Sequence, residues 1–169
     1  LVLLACYLHD FYDEKLVTDV TAEKARLRQT LIDQIGLSPD VINEAFKIID
    51  QISYSKNITQ RQKLDTNGQI VQDADRLDAL GSIGIIRAFK YGFAHHRKDF
   101  DDDDRALTDA ELTKANYRRE STTINHFYEK LFKLEKLMNT RTAKRIAHRR
   151  TKIMHLFVNE YLAERHGLK

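Results

Sequence analysis

The chain has 169 residues, of which 28 are Lys or Arg and 25 are Asp or Glu, so its net charge is +3. This length is typical of one globular domain, and a net charge this small does not indicate a nucleic-acid partner. The single cysteine, Cys6, excludes a disulfide within the chain and is typical of a cytoplasmic protein.

The opening stretch LVLLACYL, residues 1–8, is apolar but short. A membrane-spanning helix needs about 20 apolar residues, so we expect no membrane span here. Because the sequence begins at Leu1 rather than at Met and opens inside a helical pattern, we expect further residues to precede it in the complete protein.

Two helices are predicted next. The first has Thr21 as its N-cap and Gly36 as its C-terminal stop. In the second, Ser38 is the cap and Pro39 takes the first helical position. Apolar residues recur with helical period in both segments. The polar stretch 53–68 then predicts a loop.

Residues 68–92, GQIVQDADRLDALGSIGIIRAFKYG, predict one long helix with Gly81 and Gly84 on its small and apolar stripe. A glycine inside a helix costs roughly 1 kcal/mol relative to alanine. We therefore expect these two positions to allow a close approach by another helix or by a ligand.

From residue 93 to residue 120 the pattern is broken, which predicts a loop-rich insert. This insert contains the aspartate run 101–104, interpreted as a solvated loop, and TDAE at 108–111, which predicts a capped short helix. Two long helices are predicted within 121–169. The apolar face of the last one is formed by Ile146, Ile153, Met154, Phe157, Tyr161 and Leu162. Since no segment alternates like a strand, we predict an all-α fold with one domain over residues 1–169.

The first candidate site is the pair His9 and Asp10, where the opening apolar run ends. Adjacent residues on a helix diverge by about 100°, so this pair could hold one ion only where the helix ends. Mixed imidazole and carboxylate ligation suits Mn, Fe, Zn or Mg. The alternative is an ordinary helix C-terminus with the histidine near the negative end of the helix dipole.

A second candidate is the group Asp73, Asp75 and Asp78. Asp75 and Asp78 share a helix face, and Asp75 falls beside the apolar stripe. A carboxylate that points inward must be paired or bind a metal, so Asp75 is a candidate third ligand with His9 and Asp10. The alternative is that all three aspartates face solvent.

Four stretches, LHD, HDFYDEK, DADRLDALGSIGIIRAF and INHFYEKLFKLEKLMNTRTAKRIA, resemble the HD-domain metal-dependent phosphohydrolases, and in particular a bacterial branch of predicted hydrolases. The resemblance covers almost the whole chain and implies an HD-domain helical bundle. It implies His9, Asp10 and Asp75 as metal ligands, with one more histidine expected upstream of Leu1. Two-metal members of this family have additional histidines between these ligands. Since none lies between Asp10 and Asp75, the resemblance implies one divalent ion, and Mn, Mg, Fe, Zn, Co or Ni would each be compatible.

The resemblance also implies residues around the ion. Asp13 would act as the general acid or base that handles the proton of the attacking water, the alternative being a surface aspartate paired with Lys15. A phosphate substrate needs cations or hydrogen-bond donors. The candidates are Lys15, Arg76, Arg87, His126, Lys130 and Arg150. For each of these the alternative is a structural pairing with an acidic neighbour.

The predicted function is hydrolysis of a phosphoester or phosphoanhydride by metal-activated water. A nucleotide is the expected substrate, and a (deoxy)nucleoside triphosphate pyrophosphohydrolase is the preferred form. The alternative is a non-catalytic HD-fold module that regulates or binds a ligand or nucleic acid. The sequence leaves open the product, the native metal and the oligomeric state, and a homo-oligomer is compatible with it.

Overall fold

The structure is a computed structural model that describes residues 1–14, 16–52, 62–108, 110–113, 116, 119 and 121–168. Within these residues there are seven α-helices, one 3₁₀ helix and no strand, which confirms the all-α prediction. The helices are α1 (Val2–Leu8), α2 (Val20–Asp33), α3 (Pro39–Ile52), α4 (Thr66–Asp78), α5 (Gly81–Ala94), α6 (Thr123–Glu129), the 3₁₀ helix (Leu131–Leu137) and α7 (Arg141–Arg165).

The chain divides into two compact units, Leu1–Gln72 and Asp73–Lys169, and the boundary falls within α4. The organisation as one domain over residues 1–169 stays a prediction. The predicted loop at 53–68 lies largely outside the described residues, and α4 already begins at Thr66.

The core of the first unit is built on α3, which contacts both α1 and α2. The helix begins at Pro39, as predicted, and the Val41 N–H points to Ser38 Oγ at 3.5 Å. Its buried face comprises Ile42, Ala45, Phe46, Ile48, Ile49 and Ile52. Burying an apolar side chain of this size contributes about 1.5–3 kcal/mol, so α3 is the main source of hydrophobic stabilisation in this unit.

The ends of α2 show one correction and one confirmation. Its N-cap is Asp19 rather than the predicted Thr21, because the Asp19 carboxylate accepts a hydrogen bond from a first-turn N–H at 2.9 Å. At the other end Gly36 has a φ of +73°, and Leu37 N donates to Leu31 O at 3.0 Å. This left-handed residue stops the helix as predicted.

The prediction of one long helix over 68–92 is wrong, because α4 ends at Asp78 and α5 begins at Gly81. Gly81 has a φ of +80°, a conformation that favours glycine. A Cβ on Gly81 would lie 3.0 Å from the side chain of Arg150, whereas a Cβ on Gly84 would lie 2.2 Å from the carbonyl oxygen of Ala79. Gly84 therefore accommodates the chain's own break rather than another helix.

The core of the second unit forms where α5 packs against α6 and α7. Phe89 of α5 contacts the rings of Phe127, Phe157 and Tyr161, with centroids 5.7–6.2 Å apart. The predicted long helix after residue 121 is instead α6 followed by the 3₁₀ helix. Lys130, with a φ of −137°, separates these two helices.

The last predicted helix, α7, is present, but its buried face differs from the prediction. The buried residues are Ala143, Ala147, Thr151, Met154 and Val158. Ile153, which was expected on that face, is 41% exposed. Small side chains on the buried face let neighbouring helices approach α7 closely.

The stretch between α5 and α6 contains paired charges. Asp101 pairs with Lys98 at 2.6 Å, and Arg119 bridges Asp104 and Glu129 at 3.0 and 2.8 Å. Half of the predicted capping box is present, since Thr108 N donates to the Glu111 carboxylate at 2.9 Å, and the Thr108 hydroxyl donates to the same carboxylate at 2.8 Å. The described residues there form a turn rather than the predicted short helix. Two members of the aspartate run, Asp101 and Asp104, thus form ion pairs.

Among the helices that the structure describes, none has the length and apolar character required to cross a membrane.

Candidate functional site

The pair His9 and Asp10 lies at the end of α1, as predicted from the sequence. The helix ends at Leu8, and His9 is its C-cap. His9 Nδ1 lies 2.7 Å from the backbone oxygen of Cys6. A carbonyl only accepts hydrogen bonds, so Nδ1 carries a hydrogen and donates, and in the neutral ring the lone pair is on Nε2.

The two side chains meet through Nε2 of His9, which lies 3.2 Å from Oδ2 of Asp10. Neighbouring donor atoms around one divalent ion are about 3 Å apart when each bond is about 2.1 Å long. The His9 side chain is 28% exposed and that of Asp10 is 62% exposed, so both can be reached from solvent. The pair therefore fits a divalent ion in donor type, orientation and spacing.

The residues after the pair form hydrogen-bonded turns. Asp13 N donates to Asp10 O at 3.2 Å, and Leu16 N donates to Asp13 O at 2.8 Å. The helix does not continue to Asp13, which lies instead in the hydrogen-bonded turn that directly follows the pair. Lys15 lies outside the described residues.

Tyr12 anchors this turn in the first unit. Its side chain is 5% exposed, its hydroxyl donates to Asp50 Oδ1 at 3.3 Å, and its ring meets Phe46 edge-on. Lys24 forms an ion pair with Asp50 and lies over both rings. Burial, and then the negative charge of Asp50, raise the pKa of Tyr12 well above its ordinary value.

The same unit contains a cavity of about 410 Å³ between α2 and α3. It is lined by Val20, Thr21, Lys24, Ala25, Arg28 and Asp50. None of the predicted site residues that the structure describes lines it. Lys24 and Arg28 are each bonded already, to Asp50 and Asn43.

In the second unit the expectation that Asp75 points into the core is wrong, because Asp75 is exposed and Asp73 is the buried carboxylate. Asp73 is 3% exposed and accepts three hydrogen bonds. The donors are Asn139 N at 2.7 Å, Asn139 Nδ2 at 3.0 Å and Thr140 N at 2.7 Å. The exposure of Asp75 leaves its carboxylate accessible to a ligand.

Three of the predicted phosphate contacts hold structural hydrogen bonds in this unit. Arg76, only 5% exposed, donates to the carbonyl oxygen of Leu137. Arg150 donates to the carbonyl oxygen of Leu77 at 2.5 Å, and Arg87 pairs with Asp78. Their contact with substrate stays a prediction, and the burial of Arg76 is typical of a structural arginine.

His126 and Lys130 lie on α6 and at its C-cap. Burial, followed by the positive charges of Lys130 and Arg97, lowers the pKa of His126 to about 3. His126 is therefore neutral at physiological pH and can donate one N–H, while the two neighbours make its surroundings positive. Sequence reasoning missed Arg97, since it lies in the segment interpreted as a loop and only the folded chain brings it near α6.

Within the described part of the chain, no group of three or more His, Cys, Asp or Glu side chains is arranged to hold a metal ion. His9, Asp10 and Asp13 belong to the first unit. Asp75, Arg76, Arg87, His126, Lys130 and Arg150 belong to the second. The first unit by itself thus contains two of the candidate metal ligands, His9 and Asp10, at the end of α1.

Comparisons with known proteins identify the class. No family model matches the chain. It is 30% identical over 161 residues to the uncharacterized protein YpgQ of Bacillus subtilis, covering 95% of this chain and 70% of that protein. A structure of an HD-superfamily hydrolase from Bacillus thuringiensis matches with a TM-score of 0.68 and 32% identity, over 96% of this chain and 72% of that one.

The chain belongs to the HD-domain superfamily of metal-dependent phosphohydrolases. Within it, the chain is similar to bacterial proteins that include YpgQ and a protein of Lactobacillus plantarum. The latter structure matches with a TM-score of 0.86 and 42% identity, over 98% of this chain and 76% of that one. YpgQ itself was crystallised in complex with ADP, and this structure matches with a TM-score of 0.72 and 28% identity, covering 96% of this chain and 74% of that one.

Proposed function

We propose that this chain hydrolyses a phosphoester or phosphoanhydride bond of a nucleotide, with His9, Asp10 and Asp75 as ligands of one divalent ion. The orientation of His9 carries the proposal. Its Nδ1–H is held by the Cys6 carbonyl, so the lone pair of Nε2 is directed at the side of the ring where the Asp10 carboxylate lies. Ligating histidines are typically fixed in this way through their second ring nitrogen.

When bound, a divalent ion lowers the pKa of its water from about 15.7 towards 7 and polarises a phosphoryl oxygen. Asp13 would take the proton of the attacking water, since it lies in the hydrogen-bonded turn that directly follows Asp10 and its side chain is partly exposed. His126, neutral at physiological pH, donates an N–H to the phosphate, and the positive charges of Lys130 and Arg97 balance the phosphate charge.

The nucleotide as substrate class is supported by the complex of YpgQ with ADP. The positively charged surroundings of His126 would also favour a substrate with a diphosphate group, since each phosphate adds negative charge. We prefer pyrophosphate release from a (deoxy)nucleoside triphosphate over release of inorganic phosphate.

The test is a nucleotide panel with Mn²⁺, Mg²⁺, Co²⁺ and Ni²⁺, in which phosphate and pyrophosphate are both measured for the complete protein. We expect stoichiometric metal and metal-dependent turnover. His9→Gln and Asp75→Asn should each lower metal affinity at least about 10-fold, because each removes a ligand. The matched controls are His148→Gln and Asp33→Asn, which change an exposed histidine and an exposed aspartate outside the candidate site.

Two results would contradict the proposal: a wild-type protein without metal and without turnover, or turnover that His9→Gln and Asp75→Asn leave unchanged. Bound metal without turnover on any nucleotide would favour the second candidate, a non-catalytic HD-fold module that binds its ligand for regulation.

A further inference from the structure

We infer that Asp73 is a positioning residue for Asp75, and that it acts by fixing α4 to the segment that joins the 3₁₀ helix to α7. This inference rests on the proposed function, in which Asp75 is a metal ligand. It assigns a role to a second carboxylate of the stretch QDADRLDALG, which is buried whereas Asp75 is exposed.

Three donors from residues 139 and 140 hold the Asp73 carboxylate. Oδ1 accepts the N–H and the side-chain amide of Asn139, and Oδ2 accepts the N–H of Thr140. At 3% exposure the carboxylate has little contact with water. A buried carboxylate is tolerated only when its oxygens are hydrogen-bonded, so these three donors define where Asp73 must lie.

Arg76 binds the same segment from the same side of α4. It lies three residues after Asp73, a spacing that places both on one helix face, and it donates to the carbonyl oxygen of Leu137. Asp73 therefore accepts from the amides of residues 139 and 140, while Arg76 donates to the carbonyl of residue 137. The two opposite charges together prevent α4 from rotating or sliding along this segment.

The position of Asp75 follows from this attachment. Residues two apart on a helix point about 200° apart, so the face opposite Asp73 presents Asp75 to solvent. Asp75 lies in the last turn of α4, three residues before its end at Asp78, where a helix has few hydrogen bonds of its own. The Arg150 bond to the Leu77 carbonyl is a further attachment of this turn.

A purely structural role for Asp73 would be to stabilise the start of α7. That role can be separated from positioning, because Thr140 is the N-cap of α7 and its hydroxyl accepts from Ala143 N at 3.2 Å. Thr140→Ala removes this cap but keeps the backbone N–H that Asp73 accepts. It is therefore a matched control that removes the N-cap of α7 without releasing α4.

The experiment measures Mn²⁺ affinity of the complete protein by electron paramagnetic resonance titration, with circular dichroism to establish folding. Asp73→Asn keeps the shape but places an amide N–H₂ against a backbone donor. We expect it to weaken Mn²⁺ binding about 10-fold, the lower end of the loss for removing a residue bonded directly to a metal ligand, because Asp73 acts on Asp75 only through α4. Thr140→Ala should bind Mn²⁺ within about 2-fold of wild type, since it leaves all three bonds to Asp73 in place.

Asn139→Ala provides a milder second variant if Asp73→Asn does not fold. It removes one of the three bonds to Asp73, and we expect a loss of affinity of about 2–5-fold. The inference is overturned if the folded Asp73→Asn variant, or in its absence Asn139→Ala, binds Mn²⁺ like wild type while Asp75→Asn does not. Absence of Mn²⁺ binding by the wild type would instead refute the proposed function, and the positioning role with it.

Discussion

Gly92 of α5 contacts Thr123 at the start of α6, and this contact leaves no room for a methyl group. A Cβ built on Gly92 would lie 2.4 Å from Thr123 Oγ1 and 3.7 Å from Thr123 Cβ. The first distance is a severe overlap, whereas the second is an ordinary contact. Thr123 is 1% exposed, and its hydroxyl has no hydrogen-bond partner among the described residues. The conflict therefore involves one atom that a second substitution can remove.

The free energies of unfolding follow from these distances. Replacing a helical glycine by alanine normally stabilises by about 1 kcal/mol, and forcing an extra carbon into a packed site costs about 1–3 kcal/mol. Gly92→Ala should therefore be destabilising by up to about 2 kcal/mol in the wild-type background. In the Thr123→Ala background the overlap is gone, and the same change should stabilise by up to about 1 kcal/mol.

The assay is a double-mutant cycle from urea unfolding of the wild type, both single variants and the double variant. We expect a coupling energy of about 1–3 kcal/mol, well above the roughly 0.5 kcal/mol within which independent sites add. Thr123→Ala alone removes a hydroxyl without a partner among the described residues and also a buried methyl group, so it should cost about 1 kcal/mol. Additive effects, or a Gly92→Ala variant more stable than wild type, would refute the packing of α5 on α6 described above.

Tyr12→Phe should destabilise the protein by about 1 kcal/mol in urea unfolding, because it removes the hydrogen bond to Asp50 and keeps the ring. The control Tyr7→Phe, at an 85% exposed site, should have no effect. Equal free energies of unfolding for the two variants would contradict the role of Tyr12 as an anchor. Since the pKa of His126 is lowered to about 3 from an unfolded value near 6.5, only the unfolded state gains this proton between those pH values. Stability should therefore fall by up to about 1.4 kcal/mol per pH unit as the pH decreases from about 6.5 towards 3, and His126→Gln should show a smaller loss between pH 7 and pH 5. A His126 NMR resonance that titrates near pH 6.5 would refute this.

Helical periodicity predicted the elements whose burial comes from large side chains. The α3 helix was placed correctly at Pro39 because its isoleucines and Phe46 repeat on one face. The buried face of α7 was predicted less well, since Ala143, Ala147 and Thr151 take positions for which apolar residues were sought. A small residue can be buried as completely as a large one, but its type carries little signal in a sequence.

Two features of the site region required the folded chain. The break between α4 and α5 depends on a positive φ at Gly81, and a glycine inside a helical pattern does not reveal which conformation it takes. Sequence spacing also could not show which of Asp73 and Asp75 is buried, because the donors to Asp73 come from residues 139 and 140, far along the chain. By contrast, the end of α1 at His9 was predictable, since the apolar run stops there.

Two backbone hydrogen bonds join the beginning of the segment between α5 and α6 to the first residues of α6. Thr123 N donates to Lys98 O, and Ile124 N donates to Asp99 O, each at 2.9 Å. Residues inserted between Asp99 and Thr123 therefore do not have to move either helix. Doubling the length of such a loop adds only about 0.6 kcal/mol of closure entropy. The segment is therefore a suitable attachment point for an epitope tag or a fluorescent reporter, provided that the ion pairs of Arg119 with Asp104 and Glu129 are kept.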